Sequence, residues 1–153
     1  MPVQKFRPRI AIFGVPVHAM LVPFAIACFT GALLADVTYV ESPHIQWANF
    51  AAWLLAFGEA FGLAGAAFGL LDYFLNPRPV RPALALWHWL GSVTTLVLGL
   101  FNNFVHARDG YTGVMPTGLT LSALTALAVI ATGFMGARLA HVHQRTEPQR
   151  GFQ

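Results

Sequence analysis

Five side chains in this sequence have types and positions suited to ligand or proton chemistry: His18, Glu59, Asp72, His88 and His143. The first four lie within or at the end of long apolar stretches, where an ionisable residue is rare and expensive and therefore marks a functional site by default. His18 follows Arg9 by nine residues and His88 follows Arg81 by seven, which at the helical rise places both about 10 to 14 Å inside the same membrane boundary. Asp72 approaches that level from the end of its own stretch, and His141 and His143 lie just beyond the fourth stretch. Three chemistries compete for this end. Neutral imidazoles can hydrogen-bond across helices to Asp72, or to a carbonyl freed by Pro23, as a purely structural clasp. Two histidines at one depth, His18 and His88, can hold a haem b iron from both faces, with Trp and Phe packed on the macrocycle. A divalent metal or a quinone can be held by His18, Asp72, His88 and His143; imidazole suits zinc, copper or iron, although no spacing here matches a closed metal motif.

Glu59 stands apart, near the middle of its stretch and about 20 Å along the helix from Asp72. A lone carboxyl at that depth is expected to be protonated unless it is paired. It then either hydrogen-bonds a neighbouring helix or relays protons between the two sides. Asn102, Asn103 and His106 are expected near the outer surface, where the asparagines meet water or extend such a relay. The sequence contains no nucleophile–base pair, phosphate loop or nucleotide fingerprint, so hydrolytic catalysis has no support.

The elements that must position these groups are membrane helices. The chain of 153 residues is 56% hydrophobic and 10% charged, against about 25% charged in soluble domains. Four segments free of Lys and Arg are long enough to cross a bilayer core, which needs about 20 residues; the spans are read at about 11–35, 48–72, 83–105 and 117–138. Short loops between them imply an all-α, integral-membrane, up-and-down four-helix bundle in a single domain over residues 1–153. The second span is the expected hub: Gly58, Gly62, Gly65 and Gly69 alternate by four and three, and the next step lands on Asp72. Such a seam lets another backbone approach closely in lipid, and Ala25 and Ala32, on the face of His18, offer it a smooth partner.

Lys5, Arg7 and Arg9 precede the first span, Arg78 and Arg81 separate the second from the third, and Arg138, Arg145 and Arg150 follow the fourth. Only Arg108 lies on the other side, with Asp36, Glu41 and Asp109. The positive-inside rule then makes both termini cytoplasmic in a bacterial inner membrane. A basic face against anionic headgroups accounts for the net charge of +3 and the pI of 9.6 without nucleic acid. Cys28 is alone, so no intramolecular disulfide is available. The first apolar run is too long for a cleaved signal peptide and is expected to stay as a helix.

Along nearly its whole length the chain resembles the bacterial four-span membrane family DUF2231. The resemblance rests on Gly14, Pro16, His18, Met20, Pro23 and Phe24 at the opening, and on Asp36 followed by Trp47. It also rests on Gly69–Leu70–Leu71–Asp72, on His88, and on the closing TGFMGARLAHVH, with His143 at the terminal histidine of that ending. The sequence departs from the family's pattern at Val15, where a second histidine is usual, at Ala19 for a proline, at Ser92 for an asparagine and at Ala137 for a tail glycine. A family site that needs those groups would be altered here. The resemblance implies a four-helix membrane domain, and similar domains occur attached to iron–sulfur or cytochrome modules, which implies a redox-associated role.

The expected function is thus an accessory subunit of membrane electron transport, embedded in lipid, with a haem or metal site toward the cytoplasm and partner membrane subunits or further copies of itself. The rival is a structural subunit packing in a larger membrane complex, and a third reading, from Glu59, is a small proton or solute transporter.

Overall fold

The computed structural model describes residues 10–75, 83–108 and 113–145, with side chains described as far as His141. Residues 76–82, between the second and third spans, and most of the basic residues that set the expected orientation lie outside the described residues. Four helices carry the fold: α1 Val17–Glu41, α2 Ile45–Leu75, α3 Ala83–His106 and α4 Leu119–Arg145. Each is long and apolar enough to cross a membrane, and they pack against one another in a ring, with α4 closing onto α1. The α1–α2 contact is the most extensive and the α2–α3 contact the slightest.

The first helix starts six residues later than the apolar run. Ala11–Ile12 (β1) and Val15–Pro16 (β2) instead form a small antiparallel hairpin, with Ile12 opposite Val15. Phe13 and Gly14 turn the chain at φ +50° and +82°, the paired positive angles of the tight turn that matches strand twist. Pro16 then caps α1. At its other end α1 continues to Glu41, beyond the expected end near Asp36, so that Asp36 lies inside the helix and is fully buried. Entry to α4 is irregular: Met115 leaves helical geometry at φ −110°, ψ 137°, and the Met115–Pro116 peptide is cis.

Each helix turns a stripe of alternating three- and four-residue steps inward, the spacing of left-handed membrane packing. On α1 the stripe is His18, Val22, Ala25, Phe29, Ala32 and Asp36; on α2 it runs from Ala48 through Leu55 and the four glycines to Asp72. On α3 it is Thr95, Gly99, Asn102 and His106, and on α4 Ser122, Thr125, Val129, Thr132 and Gly136. The glycine seam does face α1, as expected: a Cβ on Gly58 would stand 3.0 Å from the Phe29 ring, and Gly65 and Gly69 lie against Leu21, Val22 and His18. Phe29, 1% exposed, is the centre of the core; its ring lies against both Gly58 of α2 and Gly99 of α3. Around this thin core the outward side chains are large and apolar, including Leu34, Trp53, Phe104, Leu127 and Phe134 at 65–70% exposure. Water cannot be the solvent of such a surface on four long helices; hydrocarbon can.

Candidate functional site

Two polar clusters occupy opposite ends of the bundle. At the end where α1 finishes and α2 begins, Asp36 accepts two hydrogen bonds: from His106 Nε2 at 3.0 Å to Oδ1, and from Ser122 Oγ at 2.5 Å to Oδ2. The Asp36 and His106 side chains are 0% and 2% exposed, and Ser122 and Asn102 are fully buried. The Asn102 amide lies 2.8 Å from Ser122 Oγ. Turned with Oδ1 toward Ser122, it accepts from Ser122 N–H at 3.2 Å, while Nδ2 donates to Gly118 O at 3.3 Å and His106 Nδ1 at 3.1 Å. His106 Nδ1 also lies 3.1 Å from Asn102 O; since the Asp36 carboxylate accepts, Nε2–H is the imidazole's donor to it. One carboxylate thus joins α1, α3 and α4. Despite its residue types this is not arranged as a Ser–His–Asp triad: Ser122 donates to the carboxylate and not to the imidazole.

The opposite end holds three of the residues singled out above. His88 Nδ1 lies 3.1 Å from Thr132 O on α4, which fixes the ring and leaves Nε2 outside that bond. His18 Nδ1 is buried without a hydrogen-bond partner, its ring over Gly69, three residues before Asp72 on α2. Asp72 Oδ1 accepts from Ile10 N at 3.2 Å and so ties the entry hairpin to the end of α2. His143 belongs to α4, but its side chain lies outside the described residues. Among the described residues no three His, Cys, Asp or Glu side chains are grouped as a metal site would need.

All three imidazoles inside the bundle rest on a glycine of a neighbouring segment. His18 lies over Gly69, and a Cβ on Gly136 would stand 2.9 Å from His88 Cε1. On Gly118 it would stand 2.7 Å from His106 Cε1. Glycine here supplies room for a ring. Glu59, 9% exposed, belongs to neither cluster: its Oε2 lies over Gly99 of α3 with no hydrogen-bond partner.

Sequence reasoning found the His18 end and passed over the Asp36 end, because Asp36, Asn102 and His106 stand at the edges of apolar runs, where polar residues ordinarily meet water. The available signal was Thr95, Gly99, Asn102 and His106 at steps of four, three and four, a polar stripe on one face of α3.

The sequence model of the DUF2231 family, described as a predicted membrane protein, matches residues 14–147. The chain belongs to the DUF2231 family. The four membrane-length helices of this DUF2231 protein agree with that description. No curated protein and no solved structure matches it.

Proposed function

We propose that this DUF2231 protein is a multi-pass inner-membrane accessory subunit of electron transport whose His18–His88 end binds a haem iron or a divalent transition-metal ion. One observation carries the reading: His88 is oriented through Nδ1 on the Thr132 carbonyl, and at the same end of the bundle His18 holds a buried nitrogen with no protein partner. A metal-ligating histidine characteristically commits its other ring nitrogen to a carbonyl or carboxylate, and an unpartnered buried imidazole nitrogen is costly unless something binds it. Haem b iron would take His18 and His88; a divalent ion would have to draw Asp72 and His143 to them, because His18, Asp72 and His88 are not grouped as a metal site needs. When bound, the iron would supply one-electron chemistry. The basic residues flanking the spans support an orientation with both termini in the cytoplasm, and the apolar exterior supports lipid and neighbouring subunits, or a second copy, as its surroundings.

The test is the visible spectrum of detergent-purified protein, air-oxidised and then dithionite-reduced, with elemental analysis of the same sample. A Soret band that shifts on reduction, or a stoichiometric metal, is expected in the wild type and absent in His18→Ala and His88→Ala. A colourless, metal-free wild type that takes up neither haem nor metal on titration overturns the reading.

A further inference from the structure

Beside its polar network the Asp36 end of the bundle carries a cleft. A cavity of about 60 Å³ next to His106 is lined by Ala48, Asn49 and Ala52 of α2 and by Arg108, two residues past the end of α3. The chain at Gly113–Val114 forms its third wall. A groove of about 280 Å³ adjoins it, lined by Ala52, Trp53 and Ala56 of α2, by Asn103 of α3 and by Ala107 just beyond α3. Ala52 lines both, so the two form one cleft between α2 and α3, whose contact is the slightest in the ring. The cause is a row of small residues: Ala48, Ala52 and Ala56, at steps of four, leave about 12 Å of one face of α2 without side-chain bulk.

The two parts of the cleft differ in chemistry. The groove is walled by methyl groups and the Trp53 ring, and the Asn103 amide at its edge already donates to Gly99 O at 3.0 Å. The cavity carries free donors instead. The Arg108 guanidinium and the Asn49 amide are both exposed, and neither is bonded to another described residue. No carboxylate lines either part among the described residues, and the Asp36 oxygens behind His106 are taken up by His106 and Ser122. The 24 residues of α3 measure about 36 Å against a hydrocarbon core of about 30 Å, so Arg108 stands at headgroup level. A free anion would leave the groove empty, and a purely apolar ligand would leave the guanidinium unpaired. The occupant that satisfies both is anionic at one end and apolar at the other. A planar guanidinium grips phosphate through two parallel N–H groups, and a headgroup ammonium would find no carboxylate in this lining. We propose that the cleft binds one anionic phospholipid, with its phosphate on Arg108 and Asn49 and one acyl chain along the Ala52–Ala56 groove.

The experiment uses the full-length protein with Trp47, Trp87 and Trp89 replaced by Phe, so that Trp53 alone reports. It is placed in phosphatidylcholine nanodiscs holding a varied fraction of phosphatidylglycerol brominated on its acyl chains, which quenches a tryptophan that it touches. Half-maximal quenching is expected at about a tenfold lower fraction than with brominated phosphatidylcholine, the worth of one charge-assisted hydrogen bond. Arg108→Gln should remove that preference. Ala56→Phe, at an exposed position that leaves the core intact, should fill the groove and lower the quenching reached at saturation. Excess inorganic phosphate should displace nothing. Equal half-points for the two lipids, the behaviour of ordinary boundary lipid, overturn the proposal. So does a preference that Arg108→Gln leaves intact or that inorganic phosphate abolishes, and so does a Trp53 that neither lipid quenches because a second copy of the chain covers the groove. His18→Ala/His88→Ala, at the opposite end of the bundle, should leave the preference unchanged, so failure of the His18–His88 reading and failure of this one are separately visible.

Discussion

Asp36 is the residue on which the described bundle depends most. Its two oxygens hold His106 on α3 and Ser122 on α4, and removing the acceptor of a buried hydrogen bond typically costs about 1–3 kcal/mol for each donor left unpaired. Asp36→Ala is expected to cost that much, measured by thermal or denaturant unfolding in detergent. Ser122→Ala, which leaves the Asp36–His106 contact in place, is expected to cost about 1–3 kcal/mol. The resemblance noted Asp36 as a family residue without a role, and its chemistry was illegible because burial at a helix end depends on what the other helices bring. His18, His88 and Glu59 were legible for the opposite reason: each interrupts an apolar run, where the anomaly shows without knowledge of neighbours.

At the scale of elements, the four helices and the α2 seam could be read directly from hydropathy and glycine spacing. Gly58→Ala puts a methyl 3.0 Å from Phe29 and 3.2 Å from Cys28 Cβ; overpacking of this kind costs about 1–3 kcal/mol, and unfolding of the variant in detergent checks it. The entry hairpin could not be read so directly, since Ala11–Pro16 is as apolar as the helix that follows it. Its signal is a turn, Phe13–Gly14, with φ positive at both residues. At Gly14 a Cβ would meet nothing within 4 Å, so Gly14→Ala is expected to cost about 1–2 kcal/mol through backbone conformation alone. Loss of the Ile10–Asp72 hydrogen bond would follow, visible as faster amide exchange at Ile10.

For the whole molecule, helices long enough to span put the two ends of the bundle on opposite faces of the membrane, which makes surface labelling decisive. In a Cys28→Ser background, His44→Cys and His141→Cys lie at opposite ends of α2 and α4. A membrane-impermeant maleimide is expected to label the first on intact spheroplasts and the second only after lysis; the reverse pattern would invert the proposed orientation. The described bundle has one end closed by a satisfied polar network and another where an imidazole nitrogen is left without a protein partner. Asp36 and His106 thus join the helices, while the proposed function assigns the unpartnered His18–His88 end to a ligand. Thermal unfolding of the purified, ligand-free protein tests it most directly, comparing Asp36→Ala with the His18→Ala/His88→Ala double variant. A midpoint several degrees below wild type is expected for Asp36→Ala and one close to wild type for the double variant. A double variant destabilised as much as Asp36→Ala would contradict it, and would make the histidine pair a second structural clasp.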